Sequence, residues 1–126
     1  MTNLRQITPF LHVPDMAAAL DLFTRVLRFE TKFRLDNYAY LENGDVAVRI
    51  LEEPDRVMPA PGEKTRLTVY IDVRDVDALY AELKPGLMTL PPGDVHAPID
   101  QSWNQRELHV RLPDGQWLAF GQPVRR

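Results

Sequence analysis

The sequence predicts an α+β domain: two βαβββ repeats whose strands form a curved mixed sheet around a cleft. Three observations carry this. Each half runs strand, helix, hairpin in the same order. Each first strand ends in a Val-x-Asp step ahead of an amphipathic helix, at Val13-Pro14-Asp15 and at Val73-Arg74-Asp75. Each half closes on an Asx-Gly turn, at Asn43-Gly44 and at Asp114-Gly115. Asp15 to Asp75 is 60 residues and Gly44 to Gly115 is 71, and the longer loop at 87–104 accounts for the excess. A period this long describes a duplicated module rather than a solenoid. One helix cannot cover both faces of a small sheet, so pairing two such sheets leaves a concave cleft where a ligand fits.

The elements follow in order. Residues 6–13 read as a strand, with Pro9 placing it at an edge or making its start irregular. Pro14 breaks it, and Asp15 is an N-cap, its side-chain oxygen able to take free amide protons of the next turn. Met16, Leu20, Phe23 and Leu27 then recur at spacings of three and four, one face of a helix. Residues 38–42 and 45–51 flank Asn43-Gly44, whose residues tolerate the positive φ of a tight hairpin. Residues 54–64, polar and proline-rich, form a linker between repeat one (about 4–53) and repeat two (about 65–122). Residues 66–73 are rich in β-branched side chains and form a strand. Asp75 caps a second helix that buries Val76, Leu79, Tyr80 and Leu83 and ends at Pro85-Gly86. Residues 87–104 read as loop, 106–112 as an alternating strand, Pro113-Asp114-Gly115 as a turn, and 116–120 as the last strand.

At 126 residues the chain fits one domain, which buries enough surface to fold without a metal or disulfide staple. It has no cysteine, which removes disulfides, thiolate metal sites and cysteine nucleophiles. A net charge of −3 argues against nucleic acid, which calls for a basic patch. Neither a signal-like apolar run nor a membrane-length span of roughly 20 apolar residues is present. The expected compartment is the cytoplasm.

Four segments resemble the vicinal-oxygen-chelate superfamily, which includes glyoxalase I, extradiol dioxygenases, fosfomycin-resistance enzymes and bleomycin-resistance proteins. They are Thr8-Pro9-Phe10-Leu11-His12-Val13-Pro14-Asp15, Leu22-Phe23-Thr24-Arg25-Val26-Leu27-Arg28-Phe29, Trp103-Asn104-Gln105-Arg106-Glu107-Leu108 and Leu112-Pro113-Asp114-Gly115-Gln116-Trp117-Leu118. Arg28 and Asn104 stand where the family usually has glycine, and the resemblance implies a left-handed backbone at Arg28, costing about 1 kcal/mol.

The family's enzymes hold a divalent metal with His or Glu on the first and last strand of each half. Carried over, those positions are Thr8, Arg49, Leu67 and Ala119. None is a donor a divalent ion accepts, and Arg49 would put a cation where the metal belongs. The resemblance therefore implies no metal and no cofactor.

Strand alternation places Ala47, Arg49 and Leu51 on the cleft side, together with Leu67, Val69, Ile71, Trp117 and Ala119. Val46, Val48, Ile50, Leu118 and Phe120 then pack under the helices, and Phe10, Phe23 and Phe29 are expected in the core. The predicted ligand-binding residues are Arg49, Trp117, Trp103, Tyr38, Tyr40, Leu67 and His109, with Phe33 a further flat surface. Tyr38 and Tyr40 suit either core or cleft. Arg49 is either a ligand contact or the partner of a carboxylate such as Glu107. His12 reads as a surface residue at a strand end, and His96 as a solvated loop residue. His109 lies on one face with Glu107 and Arg111, either the wet side of an edge strand or the cleft.

The function expected from these residues is metal-independent binding and sequestration of an aromatic or cyclic small molecule, as in bleomycin-resistance proteins. The alternative is a divergent enzyme of the glyoxalase or dioxygenase type, a lyase or oxidoreductase, with His109 and Glu107 as its catalytic residues. Family members pair, so a homodimer is expected.

Overall fold

The computed structural model describes residue 3, residues 5–55 and residues 68–125. Each repeat folds into a four-stranded mixed sheet with one α-helix, in the α+β architecture the sequence predicts. Repeat one contains β1 (Phe10–Val13), a helix, β2 (Glu30–Leu35), β3 (Tyr38–Asn43) and β4 (Val46–Glu52). Repeat two contains β5 (Thr68–Asp72), a helix, β6 (Val95–Asp100), β7 (Gln105–Arg111) and β8 (Trp117–Pro123). The spatial orders are β1-β4-β3-β2 and β5-β8-β7-β6. β1 runs parallel to β4 and β5 parallel to β8, and every other pairing is antiparallel. Phe10 pairs with Arg49 in the first sheet, and Tyr70 with Ala119 in the second, at the matching register.

The helix starts repeat the same device. Asp15 accepts from the Ala17 and Ala18 amides, and Asp75 from the Ala78 amide. A second side chain reaches each helix from the end of its sheet. Glu52 Oε2 accepts from Met16 N at 2.7 Å, and Gln122 Oε1 from Val76 N at 2.6 Å. These contacts satisfy amides that the first helical turn leaves without partners.

The first helix, α1 (Met16–Asp21), widens into a π-turn over Leu22–Val26. Leu27 N bonds to Leu22 O across five residues, and the Thr24 hydroxyl donates to Leu20 O. The widened turn still buries Leu22, Phe23, Val26 and Leu27, and Phe23 meets Phe29 edge-on at 5.3 Å. The second helix, α2 (Val76–Leu87), runs past the Pro85-Gly86 stop that the sequence suggests. Two contacts hold that last turn. Leu87 is buried, and Gly86 lies so close to Val26 that a Cβ would sit 3.1 Å from its Cα. The helices therefore pack on each other, and one core joins both repeats: Phe23, Val26, Leu41 and Ile50 with Leu83, Leu87, Leu108 and Leu118.

Two further elements depart from expectation. β6 occupies residues read as loop, and β2, a strand the βαβββ order requires, forms beside β3 at residues to which no strand was assigned. β6 is an edge strand carrying Pro98, with a register shift between His96 and Ile99. An edge tolerates a proline because one side of the strand needs no ladder bonds. β2 is exposed along its whole length, so no buried alternation marks it. Of the predicted linker 54–64, only residues 54 and 55 fall within the described residues.

Both Arg28 and Asn104 adopt the left-handed conformation, each with φ of 65°. Gly44 and Gly115 take positive φ in the two hairpin turns.

Candidate functional site

Each sheet turns one face to the shared helical core and leaves the other uncovered by its own repeat. Apart from Ile7 before β1 and Met88 at the end of α2, the large apolar side chains left exposed among the described residues gather on these uncovered faces. On the first sheet they are Phe10, Phe33 and Leu35, and on the second Tyr70, Ile99 and Trp103.

Arg49 organises the first face. It stands on β4, flanked in register by Phe10 of β1 and Tyr40 of β3. Its Nε donates to Thr8 Oγ1 at 2.9 Å, Nη1 donates to the Tyr38 hydroxyl, and Cζ lies 4.7 Å from the Tyr40 ring centre. Tyr38 contacts Phe10 and Phe33, with ring centres 6.0 and 6.2 Å apart. The Tyr40 hydroxyl donates to Glu42 Oε2 at 3.2 Å. At the strand end His12 pairs with Glu53, with 2.6 Å between Nδ1 and Oε1.

Glu107 organises the second face. It is 3% exposed and meets Trp103 Nε1 and His109 Nε2, both at 2.9 Å. The Tyr70 hydroxyl lies between this carboxylate and Gln105 Oε1. Burial pushes the Glu107 carboxyl up, but hydrogen bonds from Trp103, His109 and Tyr70 outweigh it and hold the group below the usual carboxylate range. Burial, then the neighbouring Glu107 and Asp72 charges, push the Tyr70 phenol up to about 12. Tyr70 can lie here because residue 121 is glycine, where a Cβ would fall 1.8 Å from its hydroxyl. His96 stacks near Trp117, with ring centres 5.1 Å apart, and pairs across the strands with His109.

The predicted ligand-binding residues thus divide. Arg49, Tyr38 and Tyr40 share the first face, while Trp103, His109 and Trp117 share the second; Leu67 lies outside the described residues. Tyr38 and Tyr40 are on the open side, not in the core. Glu107 is not the partner of Arg49: it is held by Trp103, His109 and Tyr70 on the other sheet. Phe10 is 48% exposed rather than core. His96 is a strand residue, and His109 stands on an interior strand. On β5 the faces are reversed from expectation, with Val69 and Ile71 packed on the core and Tyr70 outward. The offset of 60 between the Val-x-Asp steps makes Tyr70 the counterpart of Phe10, and Thr68, not Leu67, the counterpart of Thr8. That offset was the signal that could have found Tyr70. A groove of about 590 Å³ runs between the repeats, where residues 6–9 and β4 approach β5, floored by Val46, Ala47, Val69 and Ile71.

A sequence profile of the Glyoxalase/Bleomycin resistance protein/Dioxygenase superfamily matches residues 4–120. The chain belongs to this superfamily. The positions that the resemblance assigns to metal ligands do not fit a metal: Thr8 and Arg49 are hydrogen-bonded to each other, and the Ala119 side chain offers no donor atom. Among the described residues no group of three or more His, Asp or Glu is placed to hold an ion. The fold is shared with a bleomycin resistance determinant encoded on the transposon Tn5, at 23% identity and a TM-score of 0.75, over 95% of this chain and 98% of that one. It is shared with the bleomycin-binding protein of Streptomyces verticillus complexed with copper(II)-bleomycin, at 21% and 0.72 over 100% of both chains. A bleomycin-binding protein complexed with bleomycin aligns at 24% and 0.74, over 94% of this chain and 98% of that one. No curated protein sequence matches.

Proposed function

We propose that this superfamily member is a metal-independent binder that sequesters an aromatic or cyclic small molecule, acting in the cytoplasm as a homodimer whose subunits complete each other's cleft. The observation that carries the reading is the gathering of exposed aromatic side chains on two uncovered sheet faces. Apolar surface concentrated in this way marks a ligand or partner surface, because water disfavours it more than scattered exposure. Stacking on flat side chains adds about 0.5–1.5 kcal/mol per ring pair beyond area burial, which favours planar and cyclic guests. Three structural relatives named for bleomycin resistance or binding support the same reading. Bleomycin itself is one probe among several.

The test combines sedimentation equilibrium with metal analysis of chelator-free protein and a thermal-shift screen of planar and cyclic compounds. A dimer without stoichiometric metal, stabilised by such compounds and returning them unchanged, is the expected result. A bound ion in each subunit, or chemical turnover, would overturn it.

A second reading, a divergent enzyme, is favoured by one observation: the carboxylate of Glu107 holds the His109 ring at 2.9 Å, the arrangement that orients a general base. Turnover of any screened compound that His109→Gln abolishes would establish it.

A further inference from the structure

We propose that Arg49 and its aromatic rim receive the carboxylate of a planar aromatic acid, so that the guest on the first sheet is an anion. This deepens the binder reading above and rests on it.

A guanidinium carries five N–H donors and cannot lose its charge in a protein. Arg25, Arg106 and Arg125 each lie on a carboxylate. Arg49 is half-buried on the central strand of its open face, yet among the described residues it forms no ion pair. Its Nε and Nη1 bonds go to two neutral oxygens, the hydroxyls of Thr8 and Tyr38. These bonds fix the plane of the group, and the Tyr40 ring supports it from 4.7 Å. Among the described residues three donors then remain on Nη1 and Nη2, the end on which a carboxylate docks with two parallel bonds. A positioned cation with uncommitted donors in partly dry surroundings gains most from an anion, because the desolvation it has already undergone is otherwise uncompensated.

Phe10, Tyr38 and Phe33 continue from the guanidinium as a surface of rings with centres 6.0–6.2 Å apart. Phe10 and Phe33 are half-exposed, so a flat ring can lie on them. Two carboxylates of the first repeat are already engaged, Glu42 by the Tyr40 hydroxyl and Glu53 by His12. The net charge of −3 works against an incoming anion only at long range. Beyond about 8 Å physiological salt screens it.

The experiment titrates the full-length protein by calorimetry with three probes of one shape: 2-naphthoate, 2-naphthamide and 2-naphthylmethylammonium. The expected result is that naphthoate binds on the order of tenfold or more tighter than the amide, the strength of a charge-assisted hydrogen bond. Arg49→Gln removes that preference, and Arg25→Gln, on the helical side and paired with Asp21, leaves it intact. Equal affinity for acid and amide, preference for the ammonium probe, or a preference that survives in Arg49→Gln overturns the inference while leaving the binder reading standing. If none of the three probes binds, this inference falls, and the thermal-shift screen of planar and cyclic compounds decides the binder reading separately. Should Arg49→Gln fail to fold, the acid-to-amide ratio on the wild-type protein decides alone.

Discussion

Replacing Glu107 by glutamine tests how the second face is held together. The change keeps the shape of a side chain that is 3% exposed but removes its charge and one of its two acceptor oxygens. Trp103 Nε1 donates to Oε2 and His109 lies on Oε1. An amide keeps one of these contacts unchanged, and the other survives only if the imidazole changes tautomer. Hydrogen bonds to a buried charged group contribute about 1.5–3 kcal/mol each, less where the donor can turn to water, as the half-exposed Trp103 can. Glu107→Gln should therefore lower stability at pH 7 by about 1–3 kcal/mol. For a chain of this length that is a fall of roughly 4 °C in Tm per kcal/mol. The pH dependence carries the sharper test. The folded-state carboxyl sits below its ordinary value of 4.5, so the unfolded chain takes up its proton first as pH falls. Its contribution is complete above that value and is lost as pH drops through the lower folded value. Urea denaturation of both proteins at steps from pH 5 to pH 3 should show the wild-type advantage shrinking, while other carboxylates cancel in the difference. An advantage that stays constant or widens toward pH 3 would refute the placement of a charged, hydrogen-bonded carboxylate at this position.

Arg28→Gly should raise stability by about 1 kcal/mol by relieving a left-handed backbone at φ of 65°, whereas Asn104→Gly should gain less, since asparagine tolerates that region; thermal melts of the pair check both the sign and the order. Glu52→Ala should cost about 1 kcal/mol in denaturant unfolding through loss of its bond to the Met16 amide. Gln122→Ala should cost more, because Gln122 is buried and the Val76 amide would be left with less access to water. Gly121→Ala should displace the Tyr70 ring, which an alkaline titration followed by ultraviolet absorbance reads as a phenol moving down from about 12 toward an ordinary value.

Duplication made the fold readable, since each half supports the interpretation of the other. The caps at Asp15 and Asp75 and the buried stripe Met16, Leu20, Phe23 and Leu27 follow from local chemistry, which side-chain pattern records directly. β2 and β6 escaped because neither is patterned by burial: one is exposed throughout, and the other carries a proline and a register shift at an edge. α2 continues through Pro85 because a tertiary contact, Gly86 on Val26, overrides a local stop signal. Arg49, Tyr38, Tyr40, Trp103 and His109 were legible as candidate residues, Tyr70 was not, and neither was their geometry. Arg49, Tyr38 and Tyr40 gather around one guanidinium, yet their separation from Trp103 and His109 depends on the helices packing between the repeats, and no pattern within either repeat encodes that.

The two halves have kept one scaffold and diverged in charge. Phe10 and Tyr70 hold matching positions, as do Arg49 and Ala119, and as do Glu52 and Gln122. The helix-capping pair is preserved in function, since either side chain accepts an amide proton. The facing pair is not, because arginine and alanine share no chemistry. In the first half a cation fills the centre of the open sheet and orders the tyrosines around it. In the second, a small residue at the same position leaves room on that face, and the charge appears instead on Glu107, inverted in sign and enclosed by its own donors. A cleft built from one face of each kind would present the Arg49 cation opposite a carboxylate held by its own hydrogen-bond donors. Exchanging the two, by Arg49→Ala with Ala119→Arg, should therefore fail to transfer anion binding to the second sheet. Arginine at 119 would stand across the strands from His109, two residues from Glu107, and pair with that carboxylate instead of a guest.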